Sequence, residues 1–82
     1  MSNVIHTGHG HFVAKDRVLA ITSAKGGLLP NKAKLQMQDS DRQGKLIKHT
    51  NGRSIRSALH LDDGWMVVSS VEASTLAKRW ED

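Results

Sequence analysis

Residues 51–61 read NGRSIRSALHL, and the placement of this stretch decides the fold. Asn51-Gly52 is a favoured pair for a two-residue turn, because both positions tolerate positive φ. Lys45–Thr50 precede it, with Leu46 and Ile47 as apolar content. A hairpin is therefore expected, its two arms joined at Asn51-Gly52. Counting by twos, Ile55, Ser57, Leu59 and Leu61 face inward, while Ser54, Arg56, Ala58 and His60 face outward. Arg56 then stands on the polar face. Arg53 has inward parity, but at a turn a long side chain can leave the core. Both arginines flank one end of the hairpin and reach solvent, and ordinary solvated surface charge is the plainest account of them.

Working outward, "FVAKDRVLAITS" (12–23) reads as strand, divisible at Lys15-Asp16. "AKGGLLP" (24–30) reads as a flexible loop, with Pro30 placed to open a helix at its first position. A helix over 32–43 follows, with Gly44 as the residue just past its end. Ala33 and Met37 share its apolar stripe and Leu35 lies off it. After the stretch of interest, "DDG" (62–64) is a second turn. "WMVVSSV" (65–71) is a strand with apolar residues on both faces, so it is buried within the chain or covered by another subunit. Ala73, Leu76, Ala77 and Trp80 follow the i, i+3, i+4, i+7 spacing of an amphipathic helix. Glu72 at its start and Lys78 and Arg79 at its end match the helix dipole. The pattern is α+β: a small antiparallel sheet with two helices, in a single domain over 1–82.

The chain has 82 residues, no cysteine, and Phe12, Trp65 and Trp80 as its large aromatics. So small a core favours help from a partner subunit. The doubly apolar strand and the C-terminal helix face point the same way, toward a homo-oligomer larger than a dimer. The N-terminus lacks the basic and apolar regions of a signal peptide, and no apolar run is long enough to span a bilayer. Lack of cysteine suits a reducing compartment, so a cytoplasmic, bacterial protein without membrane attachment is expected.

Net charge is +4. Residues 15–56 carry ten Lys or Arg against three Asp, and residues 57–82 carry two against five acids. A basic half and an acidic half suit either a polyanion or an oligomer that pairs opposite ends. No cysteine nucleophile, nucleophile elbow or phosphate-binding glycine loop is present, and adjacent Asp62 and Asp63 look like turn residues. An enzyme is not expected, nor a cofactor. His6, His9 and His11 crowd together, and His9 and His11, two apart on an extended segment, would share a face. A metal site needs further ligands, so these read as turn and interface residues, and no metal is assigned. With one Phe and no Tyr, stacking on unpaired bases is disfavoured. Contact with duplex phosphates needs only cations and backbone N–H groups, so double-stranded DNA is the favoured polyanion.

The ordered motifs resemble the RemA family of bacterial extracellular-matrix regulatory proteins. "GHGHFVAKDRVLAITS" matches its opening glycine pair and strand, with Gly8, Gly10 and Arg17. "QDSDRQG" matches the helix end, "KLIKHT" and "GRSIR" the following strand and arginine motif, and "VVSSVEASTLAKR" the C-terminal run. The resemblance covers nearly the whole chain. It implies a DNA-binding transcriptional regulator or architectural protein that assembles into a closed ring and presents arginines to DNA. Carried over by position, those are Arg17, Arg53 and Arg56. The family has two consecutive arginines where this chain has Arg53-Ser54, and Lys45 and Lys48 are the cations at hand to compensate. The loop "AKGGLLPN" is about four residues longer than the family's. A ring that has lost DNA binding and serves as a scaffold for a protein partner is the alternative.

Overall fold

Met66–Ser69 is buried at every position, and a strand wanting cover on both faces and both edges belongs in the middle of a sheet. The computed structural model, which describes residues 3–82, places it there. The elements are β1 (Val4–Gly8), β2 (His11–Ala14), a 3-10 turn (Lys15–Arg17), β3 (Val18–Ser23), α1 (Asn31–Arg42), β4 (Leu46–His49), β5 (Ser57–Leu61), a 3-10 turn (Asp62–Gly64), β6 (Met66–Ser69) and α2 (Ala73–Glu81). β1 and β2 form a two-stranded sheet. The other four strands form a sheet ordered β3-β5-β6-β4.

This order corrects the expected hairpin. The turn at Asn51-Gly52 does form: both residues have positive φ, and the Arg53 amide donates to the Thr50 carbonyl at 2.9 Å. Its two arms do not pair with each other. β6 lies between them, parallel to β4 and antiparallel to β5. Ile47 and Lys48 of β4 are exposed, a composition that suits an edge, whereas β6 has no exposed position. The main sheet is thus mixed rather than antiparallel. α+β stands as the class.

The count by twos fails at the same place. Residues 53–56 form no strand, so the parity counted from the turn does not carry through them. Within β5 and β6 alternation does hold, but both faces are covered. Leu59, Leu61 and Val67 pack with Ile5, Val13, Val18 and Leu76, beneath the β1–β2 hairpin and α2. Ala58, Met66 and Val68 pack with Leu29 and Ala33, beneath α1. Ala58, expected to face outward, is 0% exposed. Ile55 packs against the α1 side, opposite Leu59 and Leu61.

Other boundaries follow the local chemistry. Pro30, lacking an N–H, caps α1 from just outside it and accepts from the Lys34 amide. Gly44 follows the helix at φ 71°. Leu35, off the stripe, is exposed. α2 buries Leu76 and packs Trp80 against the core. "AKGGLLP" is tighter than expected: Lys25 and Leu28 exchange backbone hydrogen bonds of 2.9 Å across Gly26-Gly27, and Leu29 is buried. The segment 9–10 is likewise the tight turn of the β1–β2 hairpin, with positive φ at His9 and Gly10. No helix among the described residues is long and apolar enough to cross a membrane.

Leu59 is fully buried at the centre of the sheet and Leu35 is 65% exposed on α1. Leu59→Ala should therefore lower unfolding free energy by about 2–5 kcal/mol, and Leu35→Ala by less than about 0.5 kcal/mol. Urea denaturation followed by tryptophan fluorescence compares the two.

Candidate functional site

The antiparallel register of β3 and β5 gives the main sheet two distinct ends. Val18 pairs with Leu61 at one and Ser23 with Ser57 at the other, separated by roughly 13 Å of strand. The cations singled out in the sequence divide between them. Arg17 and Lys45 lie at the Leu61 end. Arg53 and Arg56 lie at the Ser57 end, and Lys48, exposed on edge strand β4, sits next to His49 near that end. One protomer therefore does not gather all five on a single surface.

Their partners also differ. At the Leu61 end the Asp62–Gly64 turn engages both cations. Arg17 forms an ion pair of 3.0 Å with Asp62, and Lys45 Nζ donates to the Asp63 carbonyl at 2.7 Å. At the Ser57 end Arg56 forms an ion pair of 3.0 Å with Glu72, just ahead of α2. Among the described residues Arg53 and Lys48 form no ion pair. Arg53 follows the Asn51-Gly52 turn directly, where both residues have positive φ, and is exposed. The next residue, Ser54, walls a cleft of about 650 Å³ together with Gly26, Gly27, Arg56, Glu72 and Ser74. The Arg56–Glu72 pair is part of this wall, so the cleft brings together opposite charges.

The histidines do not share one face. His6 Nε2 accepts from the Gly10 amide at 3.3 Å. His9, in the turn, lies by Nε2 3.4 Å from Ser70 Oγ. His11 stacks on His49 with ring centroids 4.2 Å apart. The expected extended spacing of His9 and His11 is broken by the left-handed residues 9 and 10. Among the described residues no cluster of three or more His, Cys, Asp or Glu could hold a metal ion. Sequence reasoning did not single out His49 or His60. Burial holds the pKa of each below 6.5, and for His49 the charge of His11 adds to that. His60 lies 2.6 Å from the Thr22 hydroxyl across β3 and β5. The threonines that meet His49 and His60, Thr7 and Thr22, were the available signal: a buried hydroxyl needs a partner.

The ion pairs are solvent-exposed, so they contribute little to folding. Arg17→Ala and Arg56→Ala should each cost no more than about 1 kcal/mol in chemical denaturation, and Arg53→Ala should leave the midpoint unchanged.

Comparison with known proteins agrees with the motif order. The model of a family described as extracellular matrix regulatory protein A-like matches residues 4–80. A relative from Fervidobacterium nodosum is 35% identical over 80 residues, spanning 98% of this chain and 82% of its own length. One from Thermotoga maritima is 34% identical over 80 residues, spanning 98% and 83%. One from Geobacillus kaustophilus is 32% identical over 81 residues, spanning 96% and 86%. All three carry the designation "putative regulatory protein". With the family pattern matched over nearly its whole length, the chain belongs to the RemA-like family.

Proposed function

We propose that this protein is a regulator that binds duplex DNA as a ring-like homo-oligomer, through the Ser57 end of its sheet. One observation carries the reading: the exposed residues 51–54 present Arg53, without an ion-pair partner among the described residues, between the exposed Lys48 and Arg56. A guanidinium free of internal carboxylates is the group best able to displace counterions from phosphate. Arg56 adds a second fork once it leaves Glu72. Arg17 and Lys45, tied to the Asp62–Gly64 turn at the far end, contribute less. The regulatory names of the relatives support the role. Duplex binding would place the protein in the bacterial cytoplasm.

Few contacts per subunit call for repetition, because linked weak sites gain by avidity. The sheet offers means of assembly. β3 and β4 are both edge strands, and each exposes a large apolar residue, Leu19 on β3 and Ile47 on β4. Unpaired edges with apolar side chains invite pairing with another copy, and a closed ring satisfies every edge. Without side-chain contacts to base edges, selectivity would rest on duplex shape.

The internal engagement of Arg17 and Arg56 with carboxylates favours the second reading, a scaffold that binds a protein partner. A gel-shift titration on long duplex DNA at two salt concentrations separates the two. The wild type should shift DNA. Arg53→Ala should abolish the shift at moderate salt, with each lost phosphate contact flattening the log–log salt slope by about 0.9. Lys32→Ala, on α1, should bind nearly as the wild type does. Equal binding by Arg53→Ala and wild type would remove the 50–56 segment from the interface, and absence of any shift would favour the scaffold.

Oligomerisation is tested separately by light scattering at micromolar concentration. A mass above that of a dimer is expected for both wild type and Arg53→Ala. A monomer would contradict the assembly.

A further inference from the structure

The tip of the β1–β2 hairpin is fastened to the main sheet by polar groups, and one of them titrates. Thr7, fully buried in β1, places Oγ1 2.8 Å from Nδ1 of His49, the last residue of β4. Ser69, the β6 residue paired with His49, is also fully buried. Its hydroxyl donates to the Thr7 carbonyl at 2.7 Å and accepts from the Val71 amide at 3.0 Å. From β2, His11 lays its ring flat on that of His49, with centroids 4.2 Å apart and planes within 6°. His49 is therefore held by a β1 hydroxyl and covered by a β2 imidazole.

We propose that His49, held by Thr7 and covered by the His11 ring, is a proton-sensitive clasp that pins the hairpin tip to edge strand β4 when His49 is neutral and releases it when His49 is protonated. The clasp uses the neutral tautomer with its proton on Nε2, in which His49 Nδ1 takes the Thr7 hydroxyl hydrogen across the 2.8 Å contact. A second proton turns Nδ1 into a donor. The Thr7 hydroxyl must then redirect its hydrogen within a fully buried site, where an unsatisfied donor is costly. The stack opposes the same step, since two imidazolium rings face to face repel.

The surroundings offer no compensation. Facing His49 are His11 from β2, Thr7 from β1 and Ser69 from β6, and Lys48 adjoins it on β4. Elsewhere on the hairpin, the histidines His6 and His9 are engaged with Gly10 and Ser70. No carboxylate pairs with either clasp ring among the described residues. The root of the hairpin is held independently, by Ile5 and Val13 in the core and by Arg79, which donates to the His6 carbonyl at 2.7 Å. Release is therefore confined to the tip.

The direction follows from linkage. Burial first, and His11 second, hold the His49 pKa below 6.5 in the folded chain, so the closed form binds fewer protons than the open one. Closure is fully favoured above the ordinary value and is lost as pH falls from there through the lowered pKa. Each proton taken up raises the opening equilibrium by up to about tenfold per pH unit across that window.

Amide hydrogen exchange, corrected for intrinsic rates, tests the clasp at about pH 7.5 and about pH 5.5, on either side of the histidine range. In the wild type, protection at residues 8–12 should fall on acidification while β5 and β6 amides keep theirs. His49→Asn supplies an acceptor for Thr7 that does not titrate, and His11→Phe retains a flat ring without charge. His49→Asn should flatten the pH dependence and His11→Phe, which leaves His49 buried, should reduce it, whereas His9→Ala should retain it in full. If His49→Asn does not fold, His11→Phe decides alone. Tip protection indifferent to pH, a fall shared equally with β5 and β6, or a dependence as steep in His49→Asn or His11→Phe as in the wild type would overturn the proposal. No DNA enters this test, so the clasp and duplex binding fail separately.

Discussion

Backbone pairing of Met66–Ser69 with strands on both sides is the constraint from which the rest of the fold follows. β6 hydrogen-bonds to β5 and β4 and so joins segments separated by the Asn51-Gly52 turn. Its alternating residues reach two separate clusters: Val67 lies under the hairpin and α2, Met66 and Val68 under α1. Ser69 then ends the strand with a hydroxyl rather than another apolar group, and that hydroxyl fixes the Thr7 carbonyl of the hairpin. A four-residue strand thus sets the sheet order, both cores and the seat of the hairpin.

Local signals were legible in the sequence. The α2 stripe, the exposed position of Leu35, the division of 12–23 into strands around Lys15, and the Asn51-Gly52 turn all follow from short-range spacing and backbone preference. Partner choice was not. A turn states that the chain reverses there, but not which strands lie side by side, and β6 arrives only after β5 is complete. The count by twos failed for a related reason, since it assumed that residues 53–56 were already strand. For the site, the residue types were legible and their grouping was not. Whether Arg17 and Arg53 share a surface depends on strand direction and register, which are long-range properties.

Charge on the folded chain is more selective than the raw count of cations implies. At the Leu61 end Asp62 and the Asp63 carbonyl occupy Arg17 and Lys45. At the other end Glu72 occupies Arg56. These pairs are exposed and weak, so phosphate can compete for the arginines, but each competition subtracts from affinity. Arg53 faces no such competition among the described residues. That asymmetry lets a chain with a single arginine, where the RemA-like pattern has a pair, still present a cation at the turn. In the proposed function, repetition in an oligomer would be the means by which few contacts become strong binding.

In the proposed function, duplex DNA meets the Ser57 end of the sheet. Hydrogen-exchange mass spectrometry of the intact oligomer, with and without long duplex DNA, tests it most directly. Added protection is expected in residues 48–56, with little change in 15–17 and 62–64. Protection confined to those two turns, or none anywhere under conditions where DNA is bound, would contradict it.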